Sequence, residues 1–178
     1  MKLFMGLDLS LTGTGCVVLT DDGRVVLQDT WGDKMKRKAP VRDKIERMLF
    51  IAERVLRAAK YCLSEALPPD TSYRAAVKDG WLHVGIENYA FGARGAQNDL
   101  GELQGVVKTQ IWLALGTEPV MIALSTARKA VLGKGNFPKD EILPELGRRG
   151  LEFKDHNAAD AYVVAECLRL STVEGDDR

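Results

Sequence analysis

The chain opens on an apolar run that stops at a carboxylate. Residues 1–15, MKLFMGLDLSLTGTG, carry apolar side chains as far as Leu7 and then give way to Ser10, Thr12, Gly13, Thr14 and Gly15. A short apolar run bounded by turn residues predicts a buried strand. With a period of two, Phe4, Gly6 and Asp8 share one face and Leu3, Met5 and Leu7 the other. This strand is expected at the centre of the sheet, with Asp8 at its edge. Residues 15–19 and 25–31 read as two more strands, and Asp21-Asp22-Gly23 between them is a hairpin turn signal. Residues 34–40 form a basic loop.

The period then changes. Ile45, Leu49, Ala52, Val55, Leu56, Ala59 and Leu63 recur at spacings of three and four, which predicts a helix over 41–67. Pro68-Pro69-Asp70 ends it, and 71–79 reads as a polar connector. WLHVGIE at 81–87 is the next strand, with Trp81, His83, Gly85 and Glu87 on one face. It repeats the first strand's arrangement: an acid at the carboxyl end and, two residues earlier on the same side, a glycine that permits close approach by another element. A loop over 88–98 precedes a helix over 100–115, and a strand over 120–124 follows Pro119. Ser125 is placed to cap a short helix through Leu132, which Gly133-Lys134-Gly135 breaks. Pro138 with Asp140 and Glu141 suits a further helix start, and Pro144 is expected to kink or end that helix. A last helix runs over about 157–170. Strands first, then strands alternating with helices, predict an α/β fold with a mixed sheet.

Composition narrows the class. A chain of 178 residues suggests one domain, large enough to bury roughly 70% of its unfolded surface without staples. The expected division is a single domain over 1–170 and a flexible acidic tail over 171–178. Cys16, Cys62 and Cys167 are odd in number and far apart, with no CxxC pair, which argues against zinc and for a reducing compartment. The N-terminus lacks signal-peptide features and no apolar run is long enough to span a membrane, so a cytoplasmic location is expected. The formal net charge of zero carries no argument for nucleic acid. The basic runs at Lys34, Lys36, Arg37 and Lys38 and at Arg128, Lys129, Lys134 and Lys139 are solvated faces or phosphate contacts, and spacing alone does not separate the two.

The last helix carries the third chemical signal. NAADAYVVAECLRL is apolar almost all round, yet Asp160 lies within it. An unpaired carboxylate there shifts its pKa or destabilises the helix, and metal coordination is one remedy. His156 and Asn157 lie four and three residues earlier on the same surface, and Asp155 is a candidate N-cap. Each of Asp8, Glu87 and Asp160 has an ordinary explanation alone: a turn former, a surface residue, a partner for a lysine or arginine. Together, two strand-end acids and a late helical acid suit a hard divalent cation such as Mg²⁺.

GLDLSLTGTG (6–15), VGIENYAFG (84–92), STARKAVLGKGNFPKDE (125–141) and DHNAADAYVVAECL (155–168) resemble, in this order and spacing, RuvC-type Holliday-junction resolvases of the RNase H-like nuclease superfamily. The form of the last segment is more similar to the phage-borne branch. The resemblance implies an RNase H-like fold, a mixed five-stranded sheet flanked by helices. It implies catalytic and metal-ligating roles for Asp8, Glu87 and Asp160. Asn157 stands in the catalytic set where the family often has an acid or a histidine, so either its amide oxygen ligates, or Asp155 or His156 substitutes, or three carboxylates suffice, with an inactivating replacement at this position as a further alternative. Arg128 and Lys139 fall where the family has basic residues near the scissile phosphate, with Lys129, Lys134 and Arg94 as further DNA contacts. Tyr89 and Phe91 are candidates to wedge against unstacked bases, and the glycines at 92–95 and 133–135 to let backbone approach phosphate. The implied activity is paired symmetric nicking of four-way DNA junctions by a homodimer, using two Mg²⁺ per site (Mn²⁺ as an alternative) and no nucleotide cofactor, leaving 5′-phosphate and 3′-hydroxyl ends. Three rivals stand beside it: an RNase H-like nuclease for other branched DNA or hybrids, a non-catalytic junction binder, and an actin-like ATPase domain suggested by DLSLTGTG, for which the chain is too short.

Overall fold

The computed structural model describes residues 1–32, 41–88 and 97–176. The five strands are β1 (Leu3–Asp8), β2 (Thr14–Thr20), β3 (Val25–Trp31), β4 (Leu82–Asn88) and β5 (Val120–Ala123). They form one sheet in the order β3-β2-β1-β4-β5. β1 is its centre: it pairs antiparallel with β2 and parallel with β4, so the hairpin half and the crossover half of the sheet meet on it. The Asp21-Asp22-Gly23 signal is the β2–β3 turn, where Gly23 has a φ of 84° and its N–H donates to the Thr20 carbonyl at 3.0 Å.

Helices cover both faces. On one lie α1 (Val41–Ala66), α2 (Tyr73–Lys78) and α3 (Gln97–Leu115). Leu3, Met5 and Leu7 point into this core with Ile51, Val55, Leu103 and Ile111. On the other lie α4 (Leu124–Leu132), α5 (Lys139–Arg148) and α6 (His156–Asp176), packed on Phe4, Val17 and Leu19. The period-two assignment of β1 therefore holds.

The all-round apolar character of α6 is explained by its place. It lies across β1, β2 and β4 and is flanked by α4 and α5, so its residues from Ala158 to Ala165 are buried. Glycines let it sit that close. A Cβ on Gly6 would lie 2.1 Å from the Ala161 carbonyl oxygen and 2.4 Å from the Ala165 nitrogen, and one on Gly15 would lie 2.0 Å from the Asn157 carbonyl oxygen. Main chain of α6 occupies the space a side chain would need.

Three expectations are corrected and one, for Pro144, is narrowed. The connector over 71–79 contains α2, whose N-cap is Ser72, with its hydroxyl accepting from the Ala75 N–H, and which buries Ala76 and Val77. Ser125 is no cap: α4 begins at Leu124, and its N-cap, Ala123, makes no side-chain bond. Pro144 does not end its helix, which continues to Arg148. The last helix continues to Asp176, past the boundary at 170 and into the segment expected to be a flexible tail. The three cysteines are free and buried. Among the described residues no helix is long and apolar enough to cross a membrane.

Candidate active site

The acids end up together because β1 and β4 run parallel and finish at the same edge of the sheet. Asp8 closes β1, and Glu87 is the second-last residue of β4, opposite Ile122 of β5. Asp160, one turn into α6, faces the same place, and Asp8, Glu87, Asn157, Asp160, Arg128, Lys139, Ser10, Leu9, Leu100 and Leu124 line one cleft of about 320 Å³. All three acids are buried.

Local structure fixes each of them. After Asp8 the chain turns through Ser10, whose N–H donates to Thr14 Oγ1 at 3.0 Å while the Thr14 hydroxyl donates to the Ser10 carbonyl at 2.7 Å. Gln104 on α3 donates to the Glu87 carbonyl at 3.0 Å, a support that no motif in the sequence announced. Asp155 caps α6, with its Oδ1 accepting from the Ala158 N–H at 2.9 Å and from the Thr30 hydroxyl at 3.0 Å. That engagement accounts for Asp155 without a metal. His156 does not line the cleft, and its Nδ1 is buried without a hydrogen-bond partner among the described residues. Of the three candidates to complete the acid set, only Asn157 reaches the cleft.

The electrostatics separate the acids. Burial pushes the Glu87 carboxyl up to about 9, and the charge of Asp8, which shares a hydrogen bond with it, adds to the rise. Asp160 instead faces cations. Arg128 Nη2 donates to its Oδ1 at 3.0 Å, and Lys139 Nζ stands 3.8 Å from its Oδ2. The remaining basic expectations divide. Lys129 and Lys134 are exposed and do not line the cleft. Arg94, Tyr89, Phe91 and the 34–38 run lie outside the described residues. Gly133 has a φ of 84° and caps α4 through its N–H to the Lys129 carbonyl, and a Cβ on Gly135 would lie 2.8 Å from the Ser125 carbonyl oxygen. Both glycines are thus explained by the local chain path.

The donors suit a hard divalent cation: carboxylate oxygens, with an amide oxygen beside them. Their positions do not yet enclose one. Among the described residues no three acidic, histidine or cysteine side chains stand ready to hold a single ion. The reason lies in the contacts just given: Glu87 and Asp8 are hydrogen-bonded to each other, and Asp160 is engaged by two cations.

No family model and no curated protein matches the chain. Solved structures do. Thermus thermophilus RuvC superposes with a TM-score of 0.69 at 20% identity, covering 97% of this chain and 96% of that one. The fold is RuvC-like. T. thermophilus RuvC in complex with a Holliday junction substrate also superposes with a TM-score of 0.69, at 19% identity, over 98% of this chain and 97% of the other. The RuvC-like arrangement covers nearly the whole chain.

Glu87 gives this cleft a pH signature in the metal-free protein. Its folded pKa lies above the ordinary 4.5, so between about 4.5 and 9 the folded state holds a proton that the unfolded chain has released. That stabilisation is complete below the unfolded value and is lost as pH rises through the folded one. Thermal midpoints in EDTA should fall between pH 6 and 9, by at most about 1.4 kcal/mol per pH unit for one proton. Glu87→Gln should flatten the decline; an identical decline in that variant would reject the assignment.

Proposed function

We propose that this protein is a metal-dependent endonuclease that resolves four-way DNA junctions by paired nicks, and that it belongs with the phage-borne RuvC-type enzymes. The observation that carries the reading is the convergence of Asp8, Glu87 and Asp160, from β1, β4 and α6, on one cleft that also holds Arg128 and Lys139. Its support from outside the chain is the likeness to a RuvC structure in complex with a Holliday junction substrate.

In this reading Asp8, Glu87 and Asp160 hold two divalent cations, with the Asn157 amide oxygen beside them. Bound there, Mg²⁺ or Mn²⁺ supplies the Lewis-acid chemistry of in-line phosphodiester displacement. The protein's own side chains do the rest. The buried carboxylates fix where the scissile phosphate sits. Arg128 and Lys139 offset the charge that builds on its oxygens. Glu87 would hold a cation as the carboxylate, so its raised pKa would make loading depend on pH. The products are 5′-phosphate and 3′-hydroxyl ends.

The deciding assay offers synthetic four-way junctions, flaps and RNA–DNA hybrids in parallel with Mg²⁺. Symmetric nicks on the junction alone support the reading. Cutting of flaps or hybrids in preference makes the chain another RNase H-like nuclease. Junction binding without nicking under Mg²⁺ or Mn²⁺ makes it a binder, a reading that Asn157 favours because an amide replaces the family's acid.

Two symmetric nicks need two sites related by a two-fold axis, so the proposal includes a homodimer. On α1, Val41, Ile45 and Leu49 recur every four residues and are 73%, 52% and 51% exposed. Such a row packs against its own copy as ridge into groove. The double variant Ile45→Glu with Leu49→Glu should sediment as a monomer while the parent sediments as a dimer. A parent that stays monomeric at every concentration would refute the dimer, and a variant that stays dimeric would move the interface elsewhere.

A further inference from the structure

We propose that Arg128 is a latch on Asp160 that lets go to a substrate phosphate, so that divalent cation and DNA load together. This rests on the metal-site reading above and adds the order in which the site fills. Asp160 is 3% exposed at its side chain, and each of its oxygens faces a basic group: Oδ1 the Arg128 guanidinium at 3.0 Å, Oδ2 the Lys139 ammonium at 3.8 Å.

The Arg128 contact is incomplete in a telling way. A guanidinium offers a planar fork that grips a carboxylate or phosphate with two parallel bonds. Here one nitrogen meets one carboxylate oxygen, a second donates to the Phe137 carbonyl at 3.3 Å, and Nε is buried with no hydrogen-bond partner among the described residues. A buried donor left unmade is costly. A phosphate in the cleft, with several oxygens, offers the two-pronged partner that Asp160 in this position does not.

The latch also accounts for the open ligand set. A cation entering the cleft needs an oxygen of Asp160 while Arg128 holds one and Lys139 faces the other. Three cationic groups, with four positive charges between them, repel strongly around one buried carboxylate. A phosphate draws Arg128 away and adds negative charge, which lowers the cost of admitting the cation. Binding free energies are reciprocal, so the cation must favour DNA by the same factor.

Calorimetry of Mn²⁺ with the full chain, without DNA, tests this. Arg128→Gln should bind Mn²⁺ roughly tenfold more tightly than the parent, since a charge-assisted bond no longer competes. Lys139→Gln should gain about twofold, and because its side chain is 60% exposed it changes without disturbing the core. With Ca²⁺ as probe, a four-way junction should raise cation affinity in the parent and much less in Arg128→Gln. Asp160→Asn is the control. Should both cation variants bind Mn²⁺ no more tightly than the parent while Asp160→Asn binds it more weakly, the latch is overturned and the metal site stands. Mn²⁺ binding that Asp160→Asn leaves unchanged, or no binding by any form, overturns both. If Arg128→Gln does not fold, Lys139→Gln and the parent's own response to the junction decide the matter.

Discussion

Glu87→Gln and Asp160→Asn should each stop junction nicking, by roughly a thousandfold or more in single-turnover rate, while junction affinity holds or rises. Each removes one hard oxygen donor from a cleft that has three carboxylates; Asp160→Asn also removes negative charge beside the bound phosphate, whereas Glu87, protonated in the metal-free protein, exchanges one neutral group for another. The two variants should part company in stability. Glu87 carries a raised pKa because its charge is unwelcome where it lies, so a neutral amide there is tolerated. Asp160 answers a largely buried guanidinium, and Asp160→Asn leaves that charge facing a neutral amide. Asp160→Asn should therefore melt below the parent and Glu87→Gln should not. Gel shifts in EDTA and melting curves give both readings. Loss of junction binding in both variants would contradict the assigned role.

Gly6→Val should cost the protein about 3 kcal/mol, at the upper end for overpacking. In a chain of this size that lowers the melting temperature by about 6–12 °C. The neighbours cannot yield, because what a Cβ would strike is helix main chain: the Ala161 carbonyl at 2.1 Å and the Ala165 nitrogen at 2.4 Å. Moving α6 off the sheet displaces Asp160 as well, so nicking should fall along with stability. A Gly6→Val protein that melts with the parent would mean that α6 does not lie on β1.

What the sequence revealed and what it hid have a common physical basis. β1 was legible because its burial is two-sided, which leaves an apolar run with one acid at its end. Asp160 was legible because a carboxylate within an apolar helix contradicts its surroundings. Gly6 was legible as a close-approach position because it sits on the acid's own face, whereas Gly85, read in the same way, meets only the side-chain ends of Ile122, Val164 and Leu168. The features that were hidden depend on partners distant in sequence. α2 is six residues long and its apolar side is only Ala76 and Val77, too short for a helical period to emerge from a polar stretch. Pro144 removes a single donor in α5, and packing of Ile142 and Leu146 against α6 carries the helix past it. Lys129 and Lys134 share a basic stretch with Arg128, but position on α4 turns only Arg128 toward Asp160. The support of Glu87 by Gln104 joins two elements across a segment with no marking in composition.

The place of α6 has a consequence for biosynthesis. The β1–β2 part of the sheet face it covers is made of residues 3–20, and some 140 residues separate that part from its cover. A nascent chain on the ribosome therefore exposes Phe4, Val17 and Leu19 until the last helix emerges, which is the interval in which aggregation competes and chaperones act. Asp160 emerges with that helix. Incomplete translation products hold Asp8 and Glu87 without it, so a truncated chain lacks the third acid of the cleft.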